Sequence, residues 1–113
     1  MPFINLRTNI LTDEKQRESI KTSFGQAITA IPGKSESWLM VGIDDGYSLY
    51  FKGTPEPAAM VEVSVFGSEN PSAFNVLTRK ICDIISQQLE IDKSRIYVSY
   101  MTTPNWGWNG SNL

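Results

Sequence analysis

Landmarks in the first half of this chain recur 58 positions later in the second: Pro2 is matched by Met60, Asp13 by Pro71 and Trp38 by Ile96. In each half an alternating apolar run is followed by apolar residues at helical spacing and then by a second strand-like run. A supersecondary unit repeated once leaves few topologies open. Each half reads as a βαβ unit, and because the crossover between parallel strands is right-handed, each helix is carried onto a face of the sheet. The two units then pair into one four-stranded mixed sheet with both helices on the same side. The predicted fold class is α+β in two layers, one domain over residues 1–113 with a pseudo-repeat of 2–57 and 58–113.

Individual segments carry that plan. From Pro2 to Arg7 the residues alternate, with Ile4 and Leu6 on one side and Phe3, Asn5 and Arg7 on the other, as in a half-buried strand that begins at the terminus itself. Thr12 or Asp13 caps a helix whose stripe is Ile20, Phe24, Ala27, Ile28 and Ile31, stopped by Pro32 and Gly33. Trp38 to Ile43 reads as a strand, Asp44-Asp45-Gly46 as a turn, Ser48 to Phe51 as a shorter run, and Gly53 to Pro57 as a Pro-rich corner. The second half gives a strand from Ala58 to Phe66 and a helix with Asn70 as cap and Pro71 at its first position. That helix has the stripe Phe74, Leu77, Ile81, Ile84, Ile85 and Leu89, and a strand from Ile96 to Met101 follows. With Leu39, Val41, Ile43, Val61, Val63, Val65, Ile96 and Val98 turned to the helices, Trp38, Met40, Met60, Phe66, Tyr97 and Met101 are left on the far face beside Ser64 and Ser99. Such large apolar side chains call for a second subunit or a pocket.

Composition removes whole classes of chemistry. With no histidine and one cysteine, Cys82, the chain has no Ser-His or Cys-His nucleophile, no histidine metal site, no CxxC pair and no internal disulfide. Cys82 reads as a helix packing residue. A net charge of -2 supplies none of the positive field that phosphate backbones or anionic lipids require, so neither nucleic acid nor membrane is an expected partner. The opening MPFINLRTNI has no basic region and no long apolar core, which places synthesis in the cytosol. What remains as a base near neutral pH is an α-amino group, which titrates near ~7.7 to 8.0 and lower when buried or beside a cation. Removal of Met1 would place that amine on Pro2, at the head of a strand. Lys34, just past the first helix, is placed either to complement the helix dipole or to depress that amine and hold a carboxylate.

Taken together, Met1-Pro2, Gly33-Lys34, Phe51-Lys52-Gly53-Thr54-Pro55-Glu56-Pro57, Arg95-Ile96-Tyr97 and Gly107-Trp108-Asn109-Gly110-Ser111 resemble the macrophage migration inhibitory factor family, in register from end to end. The resemblance implies a homotrimer and a keto-enol tautomerase of the phenylpyruvate and dopachrome type, an isomerase that needs no cofactor or metal. It further implies Pro2 as the base, Lys34 and the Phe66 backbone as the carboxylate site, and Trp38, Tyr97 and Trp106 as aromatic walls, Tyr97 crossing a subunit boundary. Where better known members have an Asn reaching the substrate, an aliphatic pocket residue and a small residue near the C-terminus, this chain has Ser99, Phe66 and Trp106. The alternative that the resemblance carries is a cytokine-like protein, secreted without a signal peptide, that binds a cell-surface receptor and keeps the pocket incidentally.

Overall fold

The computed structural model describes all residues, Met1–Leu113. Strand β1 (Pro2–Thr8) runs into helix α1 (Glu14–Ala27) and strand β2 (Met40–Asp44), and β3 (Ala59–Phe66), α2 (Pro71–Leu89) and β4 (Ile96–Thr103) repeat the unit. The sheet order is β2-β1-β3-β4, with β1 parallel to β2, β3 parallel to β4, and the two units joined antiparallel through β1 and β3. The predicted paired βαβ architecture is therefore the observed one. A two-stranded hairpin, β5 (Gly107–Trp108) and β6 (Ser111–Asn112), ends the chain.

Local chemistry sets the boundaries. Asp13 caps α1 in a reciprocal pair, its carboxylate accepting from the Gln16 amide at 2.7 Å while the Gln16 side-chain oxygen accepts from the Asp13 amide at 3.0 Å. Asn70 accepts from the Ala73 amide at 3.2 Å, and Pro71, which has no N–H to satisfy, opens α2. Between the layers Ile4, Leu6, Val61, Val63 and Val65 of the sheet meet Ile20, Phe24, Leu77, Ile81 and Ile85 of the helices, all essentially without solvent contact. Each such side chain contributes roughly 1.5–3 kcal/mol on burial. Tyr100, on the helix side of β4, lies parallel to the Phe74 ring at 4.4 Å and donates to the Phe74 carbonyl at 2.9 Å.

Two expectations are corrected. Trp38 is not the first residue of a strand: it ends a short 3-10 turn, Glu36–Trp38, and β2 starts two residues later. The turn follows from the left-handed backbone at Gly33 (φ 81°) and the tight hydrogen bond from Trp38 N–H to the Ser35 carbonyl at 3.2 Å. Ser48 to Phe51 forms no strand either, since its backbone finds only the isolated bridge between Phe51 and Thr54 around Lys52 and Gly53, both at positive φ. The far face carries the expected large apolar side chains together with fixed charge. Met40, Tyr97 and Met101 are 68%, 61% and 66% exposed there, but Arg7 stands among them, paired with Glu62 and lying 3.8 Å from Asp44.

These features rank two substitutions. Ile81→Ala empties a fully buried site between the layers and should cost about 2–5 kcal/mol, whereas Asp13→Ala removes one helix cap and should cost about 1 kcal/mol. Urea unfolding followed by circular dichroism measures both, and equal losses would contradict the assignment of the core to this interface.

Candidate active site

Pro2 is buried at the head of β1, opposite Val65 of β3, and the ladder continues past it through the Phe66 amide, which donates to the Met1 carbonyl at 3.1 Å. On its other side Phe3 aligns with Met40 of β2. The chain terminus is thus gripped between two strands. Proline suits this position because the first residue of a strand is where a missing N–H is tolerated.

Lys34 reaches the same corner from the end of the first helix. Its backbone N–H closes a turn on the Ile31 carbonyl at 3.1 Å, and its Nζ donates to the Phe66 carbonyl at 2.9 Å. The terminal amine, carried here by Met1, is held below its ordinary value by burial first and by the Lys34 charge second. An amine so placed keeps a larger unprotonated fraction near neutrality than a free terminus does, which is the property a general base needs.

Beside the terminus opens a hollow of about 390 Å³ walled by Pro2, Phe3, Trp38, Met40, Trp106 and Trp108, with Met1 on its rim. Trp38 and Trp108 meet edge to face, ring centroids 5.1 Å apart, each about half exposed. Lys34 and Phe66 line a neighbouring hollow of about 220 Å³. Of the residues singled out from the sequence, Pro2, Lys34, Phe66, Trp38 and Trp106 therefore gather around one corner. Tyr97 and Ser99 do not join them within the chain. They align with Met60 and Glu62 of β3, so Tyr97 stands five residues, about 17 Å, along that strand from Val65 and Pro2. Tyr97 lines a separate apolar hollow with Tyr50, Phe51 and Met60. Trp108, to which the sequence assigned no site role, is also a wall of the Pro2 hollow. Its signal was the Asn109-Gly110 pair, whose φ values of 53° and 88° make the tight turn that folds β5 and β6 back over Trp38. Cys82 lies half-buried on α2, its thiol pushed up by burial and by Asp83.

A paired βαβ sheet with a strand-held proline at position 2, a cation at the same corner and an aromatic hollow in front defines a class of small α+β proteins. The chain belongs to the macrophage migration inhibitory factor family, whose model, described as Macrophage migration inhibitory factor (MIF), matches residues 1–113. It is 26% identical to the macrophage migration inhibitory factor of Xenopus laevis, covering 100% of this chain and 99% of that one, and 28% identical to the homologue of Trichinella spiralis over the full length of both. Among solved structures, that of Leishmania major MIF2 superposes with a TM-score of 0.94 at 32% identity, covering 100% of this chain and 97% of that one. The homologue from Prochlorococcus marinus gives 0.88 at 28% identity, covering 97% of each.

The electrostatics of the corner can be measured directly. Lys34→Ala should raise the pKa of the terminal amine part of the way back toward 8.0, burial continuing to hold it down. An NMR titration of the amine reads this, and no upward movement would leave burial as the sole cause.

Proposed function

We propose that this protein is a keto-enol tautomerase of aromatic 2-keto acids, phenylpyruvate-like or dopachrome-like, with the amine of Pro2 as its base after removal of Met1. The observation that carries the reading is a buried, strand-held proline bordering a three-tryptophan hollow, with the Lys34 ammonium anchored on Phe66 in the neighbouring hollow and acting on the terminal amine. The Pro2 nitrogen takes a proton from the carbon beside the keto group. The electron pair left behind forms the enol double bond, and the carbonyl oxygen, which gains the charge, is protonated. The return path delivers the proton to carbon. Lys34, with the backbone of Phe66, holds the carboxylate. Trp38 and Trp106 flank the ring. Membership of a family of known tautomerases supports this chemistry, and a chain without histidine has no other neutral base of comparable intrinsic pKa.

The active form in this proposal is a homotrimer, in which Tyr97 and Ser99 of one copy complete the pocket of the next. The exposed Met40, Tyr97 and Met101 on the sheet's far face support it, since a lone copy leaves them wet. The name of the relatives, migration inhibitory factor, favours a second reading, a secreted ligand of a cell-surface receptor. A variant lacking Pro2 separates the two, because a purely signalling protein keeps its effect on cell migration without the base.

Two outcomes are expected. Sedimentation at micromolar concentration should give three copies per particle, and a stable monomer would sink the cross-subunit pocket. Protein whose Met1 removal is verified by mass spectrometry should tautomerise phenylpyruvate. Retained Met1 or an N-terminal tag, which turns the Pro2 nitrogen into an amide that accepts no proton, should reduce turnover to background. Pro2→Ala keeps an amine but loses the ring that fixes it, with an expected loss of roughly 10² to 10⁴ in rate. Full activity with Met1 present would rule out the base.

A further inference from the structure

Arg95 ends the short turn Lys93–Arg95 that precedes β4, and its side chain folds back across the irregular segment 51–57. Its guanidinium donates to four backbone carbonyls there: Nε to Pro57 at 2.8 Å, Nη1 to Phe51 at 3.3 Å, and Nη2 to Thr54 at 3.3 Å and Glu56 at 3.0 Å. Its carbon also lies 5.1 Å from the centroid of the Phe51 ring, over which the charge sits. Phe51 in turn meets Tyr97 edge to face, centroids 5.0 Å apart. The rest of the Tyr97 ring is open, since the side chain is 61% exposed.

The segment around Phe51 has little else to hold it. Its only ladder contact is the bridge from Phe51 to Thr54, and most of its residues are exposed. The other fastening is Asn9, whose amide donates to Leu49, Pro55 and Glu56 and whose oxygen accepts from the Ala58 amide. Asn9 holds Leu49 and the 55–58 end, sharing Glu56 with Arg95, whereas Phe51 and Thr54 are reached from outside the segment by the Arg95 side chain, which also lies over the Phe51 ring. Five N–H groups in a rigid fork allow four carbonyls to be met at once, which a lysine ammonium with three donors on one point cannot do.

We infer that Arg95 is a positioning residue for substrate binding: it clamps the 51–57 segment so that Phe51 fixes the ring of Tyr97, two residues along β4, in the attitude at which it walls the aromatic pocket of a neighbouring copy. The inference rests on the reading of Tyr97 as a pocket wall given above. Arg95 touches neither the base nor the carboxylate site, so its loss is felt in how the ring of the substrate is held, not in proton transfer.

The test uses full-length protein with Met1 removed and phenylpyruvate as substrate. Arg95→Lys, and independently Phe51→Leu, which leaves all four carbonyl contacts available, should each raise KM about three- to tenfold, as loss of one ordinary aromatic contact would. Both should leave kcat and the pH-rate profile essentially unchanged. Combined with Tyr97→Leu, either substitution should add nothing to the KM of Tyr97→Leu alone, because the ring through which it acts is gone. Effects that add in the double variants, an unaltered KM in both single variants, or a displaced pH profile would overturn the positioning role while leaving the tautomerase reading intact. A native protein with no turnover of phenylpyruvate or any other aromatic keto acid would overturn both. Thermal unfolding of each variant separates lost fold from lost positioning, and Phe51→Leu decides the matter should Arg95→Lys fail to fold.

Discussion

The antiparallel pairing of β1 with β3 is the interaction on which the rest of this molecule depends. It joins two units that each have a helix on one side and nothing on the other, and it puts the first strand in the interior of the sheet, between β2 and β3. Chain ends usually fray because few backbone groups hold them. Here hydrogen bonding on both flanks fixes the terminus, and the buried alternate residues Ile4 and Leu6 anchor it to the core. A terminal amine becomes a defined point in space only under that condition. The proline at position 2 is compatible with it because no ladder bond is asked of its nitrogen.

On the far face of the same sheet the requirements differ. Arg7, Glu62 and Asp44 form a charged knot toward the end of β1 and β2, with the Tyr47 ring 5.8 Å from the guanidinium. Such half-exposed pairs contribute little stability, about 0–1 kcal/mol each. Their effect is on specificity: a face that carries fixed charges beside exposed methionines and tyrosine favours partners that match both. In an assembly built on this face, the charged knot fixes register more than it adds affinity.

Much of this was legible from periodicity. The core stripes of both helices and the alternation in β1 and β3 come from burial on one face, a constraint expressed residue by residue along each element, and the 58-residue spacing exposed the repeat that links them. Trp38 was misassigned because an aromatic residue before Leu39, Val41 and Ile43 looks like part of their strand. The decision between strand and 3-10 turn is made instead by backbone closure after Gly33, which leaves no mark on hydrophobicity. Trp106 was placed at the pocket through the family resemblance, but Trp108 was missed. Its position depends on the turn at Asn109 and Gly110, two residues that carry the hairpin signal without naming the wall it folds against. The clamp of Arg95 on four carbonyls was invisible for a similar reason. Backbone acceptors have no identity in a sequence, so a side chain that serves them gives no partner to search for.

The fastening of Lys34 follows a related logic. Its ammonium is held by the carbonyl of Phe66, and no carboxylate lies within ion-pairing distance of it, although Glu69 lines the same hollow. A carboxylate partner would fix the side chain equally well but would cancel much of its field at the terminal amine and occupy the site where an anionic group could bind. A neutral carbonyl orients the charge without neutralising it. In the proposed mechanism the same positive charge acts twice, depressing the amine through space and meeting the substrate carboxylate, and the end of β3 anchors it for both. Burial makes the larger contribution to the lowered amine, so the grip of the sheet on the terminus and the cation beside it work in the same direction, the first by excluding water and the second by Coulombic repulsion of a proton.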